Sequence, residues 1–240
     1  MPTLLLRLCG PMQSWGTRSR WSERDTELEP SLSGVIGLLC AAKGVQREQP
    51  IPAEWLGLRM GVRIDHEGTM ARDYHTAGGA YPKGHGVARA DGGNLDNAVL
   101  SNRYYLADAD FLVGLEHPEE QVLREIEAAI RAPHWQLFLG RKSFAPAVPL
   151  HHPPRCEPGT GLRQGELTAC LAAEPPWLPV VGRHRASAAD RRVRFVTQSP
   201  TPTSEIRMDQ PRADSFSSRK FEIRYVTTTF GELPGRNTDA

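Results

Sequence analysis

Between residues 3 and 44 a short apolar run, a basic loop and an amphipathic helix follow one another, and this succession restricts the possible folds more than any other stretch. The run Leu4-Leu5-Leu6 with Leu8 and Cys9 has the length of a buried strand and is too short to span a membrane. Gly10-Pro11 stops it, a turn pair through which a strand does not readily continue. Leu32, Val35, Ile36, Leu39 and Cys40 then recur at helical spacing and form one apolar stripe. Ser31 stands where a helix is capped, and Gly44 where a left-handed residue closes one. The intervening loop carries Gln13, Ser14, Trp15, Gly16, Arg18, Arg20, Trp21 and Arg24. Cations that meet phosphates and indoles that stack on bases are the equipment of a single-stranded nucleic-acid site. The same residues also suit a plainer arrangement, in which the tryptophans anchor the core and the arginines are solvated.

Further along, residues 58–65 alternate apolar and polar as a half-buried strand does, and residues 70–76 read as its partner across a turn at His66-Glu67-Gly68. From Ala77 to Asn97 the pattern fails: six glycines occur there, together with Pro82, Lys83, His85 and Arg89. Strand-like stretches at 70–76 and 99–105 flank this segment. It reads either as a long projecting β-hairpin, with Lys83, His85 and Arg89 near its tip, or as a floppy surface insertion. Residues 108–115 alternate again. Pro118, Glu119 and Glu120 open a second helix whose stripe is Val122, Leu123, Ile126, Ala129 and Ile130, and Pro133 ends it. Residues 135–139 read as a further strand. Strand, helix, strand, strand, helix, strand is the order of a ferredoxin-like, RRM-like α+β fold, a sheet with a helical face. Beyond Pro149 come proline- and glycine-rich loops, a candidate strand at 166–172, a basic run at 181–195 and an alternating strand at 220–227. They predict a smaller β-rich lobe, residues 149–240, packed on a first domain of residues 1–148, with a frayed tail.

Net charge is only +1 over 240 residues, so a nucleic-acid site here is a local patch rather than a global basic field. The four cysteines form no CxxC pair, which argues against a disulfide framework or zinc site and suits reduced thiols in the cytoplasm. No secretory leader is evident and no run approaches about 18 apolar residues, so no membrane attachment is expected. At residues 139–146 (LGRKSFAP), Gly140 permits close approach of a ligand while Arg141, Lys142 and Ser143 can donate to phosphate, although the spacing is not that of a P-loop. GxSxG, HExxH and paired-carboxylate patterns are missing, and the tandem His151-His152 lacks the closed constellation of a metal site. No cofactor, no metal and no catalytic residue is expected. His75, beside Arg72 and Tyr74, leaves a second class open: a metal-independent endoribonuclease with an imidazole base and a lysine stabilising charge.

Five separated stretches together resemble one family. They are Gly10-Pro11-Met12-Gln13-Ser14-Trp15-Gly16, the helix segment at 33–39 (SGVIGLL), Arg72-Asp73-Tyr74-His75-Thr76, Arg103-Tyr104-Tyr105-Leu106 and Leu139-Gly140-Arg141-Lys142-Ser143. In content and order they are similar to the CasD family, the fifth Cas family as it occurs in type I-E CRISPR systems, RAMP subunits of the Cascade surveillance complex. The resemblance rests on residues 1–150. It implies an RRM-like RAMP fold whose projecting hairpin, the thumb, lies at about 77–100. It implies a ribonucleoprotein subunit in the cytoplasm that binds the 5′ handle of the CRISPR RNA (crRNA) and kinks it where handle meets spacer. The partners it implies are the Cascade backbone subunit and the large PAM-reading subunit, with target DNA met only through the complex. In type I-E systems a separate subunit cuts the precursor RNA, so the implied role is non-catalytic. Some type I-C relatives do cut RNA, with a Tyr/His/Lys set whose residue types recur here as Tyr74, His75 and Lys142. Residue chemistry and resemblance together nominate Gln13, Ser14, Trp15, Gly16, Arg18, Arg72, His75, Lys83, His85, Arg89, Arg103, Arg141, Lys142 and Ser143 as RNA contacts. Among these, Gln13 or Ser14 is expected to read a base edge, and Trp15 to stack on a base or anchor the loop.

Overall fold

A computed structural model describes residues 1–18, 22–79, 86–88, 94–95, 98–151, 159–175, 192–212, 216–218 and 220–232. In chain order come β1 (Pro2–Cys9), β2 (Met12–Gln13), β3 (Glu23–Arg24), α1 (Leu32–Lys43), β4 (Arg59–His66), β5 (Thr69–Ala77), β6 (Val87–Ala88), β7 (Asn94–Leu95) and β8 (Val99–Ala107). They are followed by β9 (Asp110–Glu116), α2 (Glu120–Arg131), β10 (Leu162–Gln164), α3 (Leu167–Ala173), β11 (Arg192–Gln198), β12 (Glu205–Pro211) and β13 (Phe221–Glu232). The fold is mixed α+β, with few helices and mostly antiparallel sheets.

The main sheet has seven strands in the order β10-β1-β9-β4-β11-β13-β12, each antiparallel to its neighbours. β1 buries every one of its residues because both faces of the sheet are covered there. Leu4, Leu6 and Leu8 point into the larger core with the stripes of α1 and α2, while Leu5 points the other way, to Leu112, Leu167 and Leu171. A strand buried on both faces reads as a continuous apolar run, which is why β1 does not alternate in sequence. α1 begins and ends as its residues predict: the Ser31 hydroxyl accepts from the Gly34 amide at 3.3 Å, and Gly44 takes φ of +81°. Cys9, Cys40 and Cys170 are free and buried, and Cys156 lies outside the described residues.

Three expected elements are corrected. Residues 135–139 form no strand. The His134 and Trp135 amides donate to the carbonyls of Ala42 and Ala41 at 2.8 and 3.2 Å, so this segment caps the end of α1 instead. The short β10 takes the place beside β1. Residues 166–172 are not a strand but lie largely in α3, where Leu167, Cys170 and Leu171 bury one helical face and Glu166 caps the start; a run this short does not separate the two periods. Residues 70–76 pair not with β4 but with β8, in register from Thr69↔Ala107 to Ala77↔Val99. β4 is flanked by β9 and β11.

β5 and β8, with β2 and β3 against β8, make a second sheet, and β6 pairs with β7 as a short ribbon between the two long strands. Residues 80–85, 89–93 and 96–97 of the expected hairpin lie outside the described residues, and with them Lys83, His85 and Arg89. The C-terminal strands are hydrogen-bonded into the main sheet and fasten α1. Arg194 bridges Glu29 and Glu67, Arg207 also pairs with Glu29, and Asp209 pairs with Arg224 while accepting from the Leu32 amide at 2.8 Å. Among the described residues no helix is long and apolar enough to cross a membrane.

Candidate nucleic-acid interface

The loop after β1 and the turn at 139–144 meet backbone to backbone. The Ser14 amide donates to the Leu139 carbonyl at 3.1 Å, and the turn closes on itself through Leu139 N–H to Phe144 O and Phe144 N–H to Arg141 O, each 2.8 Å. Gly140 sits at φ of +89°, and a Cβ there would stand 1.7 Å from the Ser14 carbonyl oxygen. No other residue fits a left-handed position pressed this closely against a second chain segment. The contact aims Arg141 across the second sheet: its Nη2 donates to the Tyr104 carbonyl at 2.7 Å and lies 3.4 Å from that of Arg24, with its guanidinium 5.3 Å from the centroid of the Phe144 ring.

β3 runs parallel to β8 with Arg24 opposite Arg103. Arg24, Arg103 and Arg141 therefore converge. Burial holds the Arg141 pKa below its usual value, and the charges of Arg103 and Arg24 lower it further. Arg103 is lowered by the same two kinds of cause, burial first and then Arg24. Asp73 and Asp25 offset part of this crowding. Among the described residues none of the three guanidiniums forms a salt bridge. Partly desolvated cations that repel one another are stabilised by an anion held among them, and phosphate suits the planar donor fork of arginine.

The nominated residues divide sharply. Gln13 is fully buried: its Nε2 donates to Leu8 O at 3.0 Å and Ala109 O at 2.7 Å, and its Oε1 accepts from Trp15 Nε1 at 3.2 Å. With no exposed surface, Gln13 has no edge to offer a base and instead fixes the loop. Trp15, 1% exposed, is the anchor and not a stacking face; Gly34 of α1 packs on it, where a Cβ would lie 2.8 Å from the ring. The Ser14 hydroxyl is buried against the carbonyls of Tyr104 and Asp25. Gly16 is exposed, and so is Arg18, whose Nε lies 3.8 Å from Glu27. Lys142 and Ser143 are exposed on the turn beside Arg141.

On the β5–β8 pair Asp73 stands opposite Arg103 and Arg72 opposite Tyr104, so Arg72 and the exposed Tyr74 lie on the face away from the arginine cluster. His75 shares the cluster's face, with Nδ1 3.2 Å from Asp73 Oδ2. Sequence reasoning placed Arg24 in the loop without selecting it, because a two-residue strand leaves no periodicity to read. Beside Arg24 and Arg141 an open groove of about 1200 Å³ follows α1, lined also by Trp135, Phe216 and Phe221. Among the described residues no group of histidine, cysteine and acidic side chains is arranged to hold a metal ion.

Residues 3–227 match a family model described as CRISPR-associated protein (Cas_Cas5). The CRISPR system Cascade subunit CasD of Escherichia coli (strain K12) is 35% identical over an alignment of 162 residues, with 62% of this chain and 68% of that protein covered. Among solved structures, a chain of a CRISPR RNA-guided surveillance complex is 34% identical with a TM-score of 0.75, over 99% of this chain and 95% of that one. The crystal structure of a Cas protein is 33% identical with a TM-score of 0.71, over 97% of both chains.

Proposed function

Because the chain belongs to the Cas5 family of CRISPR-associated proteins, we propose that it is a non-catalytic subunit of a type I-E Cascade complex that holds the 5′ handle of crRNA. The observation that carries this reading is the convergence of Arg24, Arg103 and Arg141 on one face of the second sheet, without a salt-bridge partner among the described residues. Handle phosphates lie among these three, with Lys142 and Ser143 at the rim. Phosphate contacts of this kind position a strand without reading its sequence. The antiparallel order β10-β1-β9-β4, with α1 and α2 supplying one core, supports a ferredoxin-like RAMP core built on residues 1–148 and completed by β10 at 162–164, to which the other strands of 149–240 add. The β5–β8 pair is the root of the thumb, which kinks the RNA at the handle–spacer junction. The backbone subunit and the large PAM-reading subunit are its protein neighbours, target DNA is met only through them, and the complex works in the cytoplasm.

Replacing Arg103 and Arg141 together with alanine is expected to weaken handle RNA binding and to flatten its salt dependence by roughly 0.7 in log–log slope per lost phosphate contact. An unchanged slope in the double variant would contradict the assignment. The His75–Asp73 pair beside the cluster is what favours an endoribonuclease instead. Run in EDTA with repeat RNA, the same incubations are expected to return the RNA intact, and a discrete product would overturn the non-catalytic reading.

A further inference from the structure

We propose that Trp135 is the platform on which one unstacked base of the bound RNA rests, at the end of the groove away from the arginines. This rests on the reading of Arg24, Arg103 and Arg141 as a phosphate site and adds the position of a base to it. Three tryptophans lie within the described residues, and only one of them is available: Trp15 and Trp55 are 1% and 2% exposed, Trp135 is 41% exposed. An exposed indole is held here with some rigidity. The amides of His134 and Trp135 donate to the last turn of α1, and the His134 ring meets the indole edge-on with centroids 5.2 Å apart. His134 in turn lies tightly over Gly44, so the pair cannot sink further onto the helix end.

The groove ties this indole to the cations. Its wall along α1 is built from Ser33, Gly34, Gly37, Leu38, Cys40 and Ala41, and the two glycines and the alanine leave space in the channel. From Gly34 to Ala41 the helix advances about 10 Å, so a short extended strand reaches from one end to the other. Charged groups lining the groove are Arg24, Arg47, Arg141 and Lys142 against Asp25 and Glu48, and the Asp25 carboxylate already accepts the Arg18 amide. A net positive channel ending on an exposed aromatic face fits a polyanion with flat apolar bases better than a protein segment. Phosphates lie toward Arg24 and Arg141, and a base turns onto Trp135. Stacking of this type tolerates any base, so the platform fixes the path of the strand and not its sequence.

The test uses the full chain and handle-containing repeat RNA in two forms, intact and as a set with one abasic nucleotide at each successive position. Trp135→Ala is expected to weaken binding of intact RNA roughly 5- to 100-fold, with the melting temperature and salt slope unchanged. One abasic RNA should bind the unaltered protein as weakly as intact RNA binds the variant, and on that RNA the variant should cost nothing further. Trp135→Phe should retain most of the affinity. Should Trp135→Ala lower the melting temperature, Trp135→Leu keeps apolar bulk on the helix end and should show the same cancellation. The platform is overturned if Trp135→Ala and Trp135→Leu leave binding unchanged while Arg103 and Arg141 variants still weaken it, or if no abasic position cancels the loss. It is equally overturned if RNA binding survives and only association with the other Cascade subunits fails, for the occupant is then a protein. Failure of the arginine variants to affect binding would instead strike the phosphate site on which the platform depends.

Discussion

Asp209→Ala is expected to cost about 3–5 kcal/mol of folding stability, read as a lower urea midpoint at unchanged slope. Asp209 and Arg224 are 1% and 5% exposed and share two hydrogen bonds, at 2.9 and 2.8 Å. Removing the carboxylate leaves a buried guanidinium without its counter-charge, which is the expensive way to break such a pair. The same carboxylate accepts the Leu32 amide, one of the donors that the start of α1 leaves open. Replacing both partners, Asp209→Leu with Arg224→Met, should recover much of the loss because no lone charge remains buried. The residue of the loss then measures the Leu32 amide, about 1–3 kcal/mol for a buried donor left unsatisfied. Equal losses in the single and double variants would show that the pair is not what anchors β12 and β13 to α1.

Gly140→Ala should reduce both stability and RNA affinity. The left-handed backbone alone disfavours a Cβ by roughly 1–2 kcal/mol. The added atom would also stand 1.7 Å from the Ser14 carbonyl oxygen, so the turn must move away from the loop. Displacement carries Arg141 out of reach of Tyr104 O and away from Arg24 and Arg103. The variant is therefore expected to lose at least about 2 kcal/mol, with binding reduced as far as in Arg141→Ala. Arg141→Ala by contrast should lose binding at nearly unchanged stability, since the Tyr104 carbonyl it leaves still accepts from the Ser14 hydroxyl. A Gly140→Ala protein with full RNA affinity would mean that the turn does not set the arginine.

Much of this architecture was legible in the chain. The double-sided burial of β1 follows from five apolar residues without alternation, and both ends of α1 from Ser31 and Gly44. Elements fixed by partners distant in sequence were not legible. Residues 135–139 have the composition of a strand, but the carbonyls at the end of α1 claim the amides of His134 and Trp135. β5 reads as the mate of β4 because a short turn joins them, yet β9 and β11 take both edges of β4. At the site, LGRKS announced a phosphate-like turn. That Gly140 serves contact with Ser14, and not with a ligand, depends on a packing no local pattern encodes. Gln13 looked like a base reader because its amide is polar; three internal hydrogen bonds show that its chemistry faces inward. Arg24 gained importance only through its parallel pairing beside Arg103.

The most direct test of the central claim is to crosslink a thiouridine-substituted handle RNA to the full chain and map the attached peptides. The account predicts adducts on peptides holding Arg24, Arg103 and Arg141, with the Trp135 peptide joining them for a subset of thiouridine positions. Adducts confined to α3 or to the outer strands β12 and β13, with none near the three arginines, would contradict it.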